Sequence, residues 1–390
     1  MVPIESAAIR PEMIYPPPML IGCLGGGQLG RMLALAGLPL DIRMRVFDPD
    51  AAACASACAE HVQAEWADTA ALDRFCDGLD ACTFEFENVP AATLEYVAAK
   101  VPTYPGPLSL ATGQDRGNEK AAFAKVGFSV PPYALVHSQQ ELQDALAQVG
   151  MPGVLKARRG GYDGKGQAVI RDAADAASAF ASIGSRPAVY EAFVPFTREV
   201  SIIACRGRDG SIVHYPLAEN VHRNGILHVS IGNAEVSSAL ATQAQDRITA
   251  LLNMLQHVGV LAIEMFEVRS PSGSVLVPNE MAPRVHNTGH WSIQGCITSQ
   301  FENHMRAVAG LPLGSTAMAA GASRAAMVNL IGSYPPSHTL AGQIMSDTQA
   351  HVHLYGKAPR AGRKIGHVTL VGGLEVIEQA QNLAKRWPPC

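Results

Sequence analysis

The stretch Val275-Leu-Val-Pro-Asn-Glu280-Met-Ala-Pro-Arg284-Val-His286-Asn287-Thr-Gly-His290-Trp291 constrains the fold of this chain more than any other. It starts as an apolar, partly β-branched strand. It is expected to break at Pro278 and Pro283 into a segment crowded with Asn, Glu, Arg and His. A strand that ends this way delivers side chains to a site rather than to a core. A second strand, Val260–Val268, precedes it, and Ser270-Pro-Ser-Gly273 between them is turn chemistry. With the turn centred on Ser272, Glu264 and Glu280 lie opposite each other in a hairpin, and paired residues share a face of the sheet. Glu267 points the other way. Two carboxylates on one face, with no cation in either strand, repel unless something positive lies between them. A hard cation such as Mg²⁺, itself carrying phosphates, suits that place. The alternative is a pair of solvated acids on an exposed hairpin.

Upstream, Met19–Leu24 reads as a short buried strand, followed by Gly25-Gly-Gly-Gln28-Leu-Gly30 and a helix over Arg31–Ala36. Asp48 follows the next strand, Arg43–Phe47. Taken alone this is a dinucleotide fingerprint. Its physics is less specific, because free amides at a helix N-terminus hold any phosphate. A strand at Cys82–Phe86, a helix over Pro90–Lys100 and a short strand at Thr103-Tyr104 continue the βα rhythm of an open parallel sheet. Glu85 and Glu87 sit at a strand's carboxyl end, where such sheets place ligands; surface acids are the alternative.

With 390 residues the chain has room for two or three domains. A formal charge of −4 points to neither nucleic acid nor an anionic membrane surface. Eight scattered cysteines without a CxxC pair read as reduced thiols of a cytoplasmic protein, Cys54 and Cys58 beside His61 included. Residues 1–18, with Pro16-Pro-Pro18, lack a long apolar core and read as a loosely attached leader.

The segment Asp115-Arg116-Gly-Asn-Glu-Lys120 caps a helix over Lys120–Val126, and Gln139–Val149 forms another. Two strands then flank Lys156-Ala-Arg158-Arg159-Gly160-Gly161-Tyr162-Asp163-Gly164-Lys165-Gly166-Gln167. Lys156 meets a phosphate as a point charge, and the glycines let backbone amides close over a polyphosphate. This is no Walker loop, since a hairpin carries it. Ala188–Val194, with Glu191, Ala192, Phe193 and Val194, reads as a strand whose edge can face an adenine. Glu199 opens the next strand, and Glu219-Asn-Val-His222 follows the strand His214–Leu217.

Together, Gly160–Gln167, Glu191–Val194 with Glu199, and Asn279–Trp291 resemble the ATP-grasp ligases, and within them the N5-carboxyaminoimidazole ribonucleotide synthetase family. Gly25–Gly30, Thr83–Pro90, Leu354–Lys357 and Arg363–His367 extend the resemblance over residues 19–375. It implies an α/β fold, α+β in part. An open parallel-sheet, Rossmann-like domain (19–117) precedes an ATP-grasp domain (118–322, lid about 130–205) and a small β-rich C-terminal domain (323–390). It implies a cytoplasmic homodimer that phosphorylates bicarbonate with ATP and transfers the carboxyl group to the amine of 5-aminoimidazole ribonucleotide. Glu264 and Glu280 would hold Mg²⁺, with Mn²⁺ as an alternative ion. Arg116, Lys156, Gly161–Gln167, Asn279 and Glu280 would bind phosphates; Glu191–Val194 would line the adenine pocket, with Glu199 on the ribose and His222 nearby. Gln28, Glu85, Tyr162, Asn287, Lys357, Arg363 and Lys364 would bind the ribonucleotide. Arg284 and His286 would meet bicarbonate, and Asp163 or His286 the amine proton. The loop Gly25–Gly30 would then turn its amides to the nucleotide substrate rather than to NAD. Another ATP-grasp ligase, a formyl-dependent enzyme and an NAD-dependent oxidoreductase are the competing readings.

Overall fold

The computed structural model describes residues 18–161, 166–270, 273–337, 342, 344–347 and 349–386. The expected leader and Tyr162, Asp163, Gly164 and Lys165 of the glycine loop lie outside the described residues.

An open parallel sheet begins the fold. Its strands run in the order Glu60–Val62, Ile42–Phe47, Met19–Leu24, Ala81–Phe84. The apolar strand Met19–Leu24 is central, as its burial on both faces requires. The helix Gln28–Gly37 follows at once and packs on the later helix Gln300–Ala309, which ties this sheet to the rest of the molecule. Thr103 makes only an isolated bridge with Cys82, so the expected strand at Thr103-Tyr104 is a single pairing.

The second sheet is small and antiparallel, in the order Tyr133–Val136, Ala188–Ala192, Gly153–Ala157, Gln167–Ile170. The helices Gln139–Val149 and Ala176–Ser182 supply its apolar cover, with Leu142, Leu146 and Phe180 buried against Leu155 and Tyr190. Ala188–Ala192 is an interior strand, paired on both sides, so the sequence reading of it as an edge is corrected. The Ala192 and Phe193 amides are bonded to the Pro132 and Pro152 carbonyls.

A nine-stranded sheet forms the centre and carries the C-terminal strands Arg324–Gly332, Ala350–Leu354 and Arg360–Gly372 on one side. Its other edge is the hairpin Gly259–Ser270 and Gly273–Ala282. The second of these strands does not break at Pro278. Pro278 sits on the sheet's outermost strand, where a missing N–H costs no ladder bond. The strand expected over His214–Leu217 lies earlier, at Ile212–His214, and Glu219–His222 belongs to the next strand, Ala218–Arg223, paired with Ile226–Gly232. Trp291, 1% exposed, closes the segment after the hairpin. It lies so close to Gly232 that a Cβ there would come within 2.2 Å of its ring.

Two buried histidines lock the first sheet's domain to the central sheet. His304 accepts the Val260 N–H at Nδ1 (3.1 Å) and faces Thr83 Oγ1 through Nε2 (2.8 Å). His257 faces the Val260 carbonyl through Nε2 (3.0 Å) and the Ser109 hydroxyl through Nδ1 (3.1 Å). Each ring uses one nitrogen as donor and one as acceptor, so each is neutral. Burial pushes both down to about 3. The unfolded chain takes up these protons near the ordinary histidine value, so it binds more protons than the native state between about pH 6.5 and 3. Stability is therefore lost as pH falls through that window, by up to ~1.4 kcal/mol per pH unit per histidine. Urea midpoints measured from pH 7 to 4 are expected to drop steeply below pH 6, and a flat profile would contradict this packing.

Candidate active site

The hairpin register comes out as expected, by a different route. Ser270 pairs with Gly273, so the turn centres half a residue before Ser272. Counting from it, Met265 pairs with Pro278, and unbroken pairing would set Glu264 opposite Asn279. A bulge between Glu264 and Met265 absorbs Asn279, and Glu264 pairs with Glu280 after all.

The two carboxylates find different partners. Glu280 Oε2 lies 3.4 Å from Arg116 Nη2. Glu264 faces His286 Nε2 at 3.5 Å and His222 Nε2 at 3.9 Å. His222 Nδ1 in turn lies 2.9 Å from Glu199 Oε2. Among the described residues Glu199, His222 and Glu264 are grouped closely enough to share a cation, with ligand atoms within 4.8 Å of one another. Glu280 stands outside that group, because Arg116 draws its carboxylate aside. Burial, and then the charge of Glu280, pushes the Glu264 carboxyl up to about 7. A cation between the two strands would relieve both penalties, and carboxylate oxygens are the donors a hard ion prefers.

Arg116 opens the helix Arg116–Lys125, whose N-cap is Asp115. The Asp115 carboxylate accepts the Gly117 and Asn118 amides and also holds Arg158 Nε (2.7 Å) and Arg159 Nε (3.1 Å). One buried acid thus fixes both the helix start and the base of the glycine loop. On the next turn, Lys120 pairs with Glu191 Oε2, whose Oε1 lies 2.5 Å from Lys156 Nζ. Lys156 also donates to Asn279 Oδ1 at 2.9 Å, so the bulged residue has a polar partner. Burial alone would raise the Glu191 carboxyl; the two lysines outweigh it and hold it at about 2.

His286 begins a short 3-10 turn and accepts the Thr288 N–H at Nδ1. Burial, reinforced by Arg284, keeps the ring well below its usual range and neutral. Its proton therefore sits on Nε2, toward Glu264, so in this state His286 is a donor rather than a proton acceptor. Arg284 is engaged by Glu87 through both Nε and Nη2. The Asn287 and Asn329 side-chain amides bond each other reciprocally, at 3.1 and 2.7 Å.

At the far end, three amides of the glycine-rich loop are already taken by the protein's own carboxylates. The Gly27 and Gly30 amides donate to the two oxygens of Glu85 (2.9 and 3.2 Å), and the Gly26 amide to Asp48 Oδ2 (2.7 Å). A Cβ on Gly27 would lie 2.7 Å from Glu85 Oε1. The glycines admit the protein's own carboxylates, which corrects the expectation that these amides face a substrate. Both Glu85 oxygens are engaged, and the residue is 8% exposed. Gln28 does turn outward, and its Oε1 accepts from Lys357 of the C-terminal segment.

A cleft of about 960 Å³ opens against part of this set; Lys156, Glu191, Glu199, His222 and Glu264 stand outside its lining. Gln28, Glu85, Lys357, Arg363 and Lys364 line one part of it, and Arg116, Glu280, Arg284, His286 and Asn287 another. Arg158 and Arg360 also line it, and the sequence reading assigned neither a ligand. Lys120 was missed as well: it looks like an ordinary helical lysine, and its partner Glu191 is far away in the chain.

Three family models match successive parts of the chain. The ribonucleotide synthetase preATP-grasp domain family matches residues 19–114. The ATP-grasp domain family matches 121–301, and the phosphoribosylaminoimidazole carboxylase C-terminal domain family 325–379. The N5-carboxyaminoimidazole ribonucleotide synthase of Pseudomonas aeruginosa is 49% identical over 352 residues, 90% of this chain and 94% of that protein. The crystal structure of N5-carboxyaminoimidazole ribonucleotide synthetase from Thermus thermophilus superposes with a TM-score of 0.87 at 47% identity, covering 94% of this chain and 98% of that one. The Aspergillus clavatus N5-carboxyaminoimidazole synthase, in complex with ADP and 5-aminoimidazole ribonucleotide, gives 0.84 at 29% identity over 95% and 99% of the two chains.

Because Asp48 and Glu85 fill the loop amides, NADH is expected to give no saturable fluorescence change on titration with the protein. Saturable binding at micromolar NADH would contradict the closed loop.

Proposed function

The chain belongs to the N5-carboxyaminoimidazole ribonucleotide synthase family, ligases that form a carbon–nitrogen bond on the ATP-grasp fold, and on that premise we propose that it carboxylates 5-aminoimidazole ribonucleotide with ATP and bicarbonate. The observation that carries this reading is the Glu264–Glu280 pair. Glu280 lines one cleft with Arg116, Lys357, Arg363 and Lys364, and Glu264 is its partner on the adjacent strand.

The carboxylates Glu264 and Glu280 would hold Mg²⁺, or Mn²⁺ in its place, across the paired strands. When bound, the ion neutralises the terminal phosphates of ATP and holds them in line for attack. Arg116 and Lys156 take the remaining phosphate charge, under the loop that carries Gly161, Gly166 and Gln167. Glu199 has one oxygen on His222 and a second to offer to a ribose hydroxyl. The adenine lies along Ala192–Val194. Because the Ala192 and Phe193 amides are spent within the protein, their carbonyls and Val194 do the reading.

Bicarbonate attacks the γ-phosphorus, the bond to the bridging oxygen breaks, and ADP leaves. Arg284 holds the bicarbonate oxygens, and His286 adds the N–H on Nε2. The amine nitrogen then attacks the carboxyl carbon of carboxyphosphate, the C–O bond to phosphorus breaks, and phosphate departs as the amine gives up a proton. Lys357, Arg363 and Lys364 neutralise the phosphate of the ribonucleotide; Arg360 and Gln28 lie on the same wall of the cleft. Carboxyphosphate is destroyed by water, which gives the glycine-rich hairpin a reason to close over the site. The same proposal places the protein in the cytoplasm, as a homodimer, in purine synthesis. Among the described residues no helix is long and apolar enough to cross a membrane.

The test is ADP release with Mg-ATP and bicarbonate, with and without 5-aminoimidazole ribonucleotide. Release is expected to depend on the ribonucleotide and to match carbamate formed one for one. Release indifferent to it would point to another amine acceptor.

A further inference from the structure

Three buried charges stand together behind the proposed phosphate site: Lys120, Glu191 and Lys156, exposed by 2%, 6% and 6%. The carboxylate is shared evenly, one oxygen to each ammonium. A single lysine would be enough to neutralise Glu191. A second buried ammonium makes the group net positive, in a place where charge is costly unless something compensates it. Arg116, at the start of the helix that carries Lys120, is answered by Glu280 at 3.4 Å and by the buried Glu119, so those acids are not Lys120's to share alone. Lys120 itself reaches the ring of Tyr133 at 5.7 Å, which can stabilise a cation without neutralising it.

We propose that Lys120 is a positioning residue for the nucleotide: by occupying one oxygen of Glu191 it leaves Lys156 with charge to give to the polyphosphate. This rests on the ATP-dependent reading of the site. The geometry gives each lysine a separate task. Lys120 comes from the helix after Asp115 and lies deepest. Lys156 comes from the strand that leads into the glycine-rich hairpin, and it also touches Asn279, the residue next to Glu280. Of the two, Lys156 is the one aimed at the hairpin carboxylates and whatever lies between them. If Glu191 had Lys156 as its sole partner, the two charges would cancel. The ammonium would be drawn back onto the carboxylate. With Lys120 present, Glu191 is already compensated, and Lys156 can turn to a phosphate without leaving a buried acid unpaired.

The proposal separates from a purely structural role by a charge-deletion rescue. Binding of Mg-ADP and Mg-ATP is measured by calorimetry on the full chain, so the readout does not depend on the amine substrate. Lys120→Met is expected to weaken nucleotide binding by about tenfold or more, the scale of one charge-assisted contact. In turnover, KM for ATP rises while KM for the amine substrate stays put. Lys120→Arg keeps the charge and restores most of the affinity. Lys120→Met combined with Glu191→Gln removes the acid along with its partner, frees Lys156, and binds nucleotide more tightly than Lys120→Met alone. A folded Lys120→Met variant with wild-type affinity would overturn the proposal. So would a double variant that binds no better than the single one. Absence of nucleotide binding by the wild-type protein would overturn the ATP-dependent reading itself, whereas wild-type binding with either of those variant results would sink only the role of Lys120.

Discussion

Everything in the cleft is arranged around a repulsion. Glu264 and Glu280 are set opposite each other on paired strands. Burial and mutual charge push Glu264 up to about 7. Protein groups relieve part of the strain from outside: Arg116 draws on Glu280, His222 draws on Glu264, and the neutral His286 faces Glu264 with a ring N–H. No side chain of the hairpin itself supplies a cation between the two acids. On the proposed reading, a divalent ion carrying phosphates would turn this conflict into binding energy. The helix start at Asp115, the Lys120–Glu191–Lys156 group and the C-terminal cations then read as the surroundings such a ligand needs.

Two other acids show the opposite use of the same chemistry. Glu85 and Asp48 close the glycine-rich loop of the first domain by occupying its amides. That loop keeps the shape of a dinucleotide fingerprint because close approach by a carboxylate and by a pyrophosphate makes the same demand: no Cβ in the way. Glu85 occupies the Gly27 and Gly30 amides at this helix N-terminus. Gln28, the residue that does turn outward, meets Lys357 and joins the first domain to the C-terminal segment. The first domain therefore contributes a wall to the cleft rather than a cofactor site.

Much of this was legible in the chain because strand periodicity is strict. The alternation that separates Glu264 from Glu267 puts them on opposite faces without any knowledge of the fold. The open parallel character of the first sheet follows equally from its βα rhythm. The bulge at Asn279 was not legible: a bulge depends on the partner strand, and here it offset a half-residue error in the turn. Pro278 misled for the same reason, since only the finished sheet makes its strand an edge. Lys120 and Glu191, and Glu85 with Gly27, meet only through tertiary packing, and nothing local marks them. His286 was legible as a candidate and does line the cleft, but which ring nitrogen carries the proton depends on the Thr288 amide.

The claim at the centre is that the paired hairpin carboxylates bind the ion that carries the nucleotide. The most direct measurement is Mn²⁺ binding followed by electron paramagnetic resonance, in the presence and absence of ADP, for the wild-type protein and for Glu280→Gln. The account predicts tight, ADP-dependent Mn²⁺ binding by the wild type, and loss of that ADP-linked binding in a folded Glu280→Gln variant. Undiminished ADP-linked Mn²⁺ binding by Glu280→Gln would contradict it and move the ion away from the hairpin.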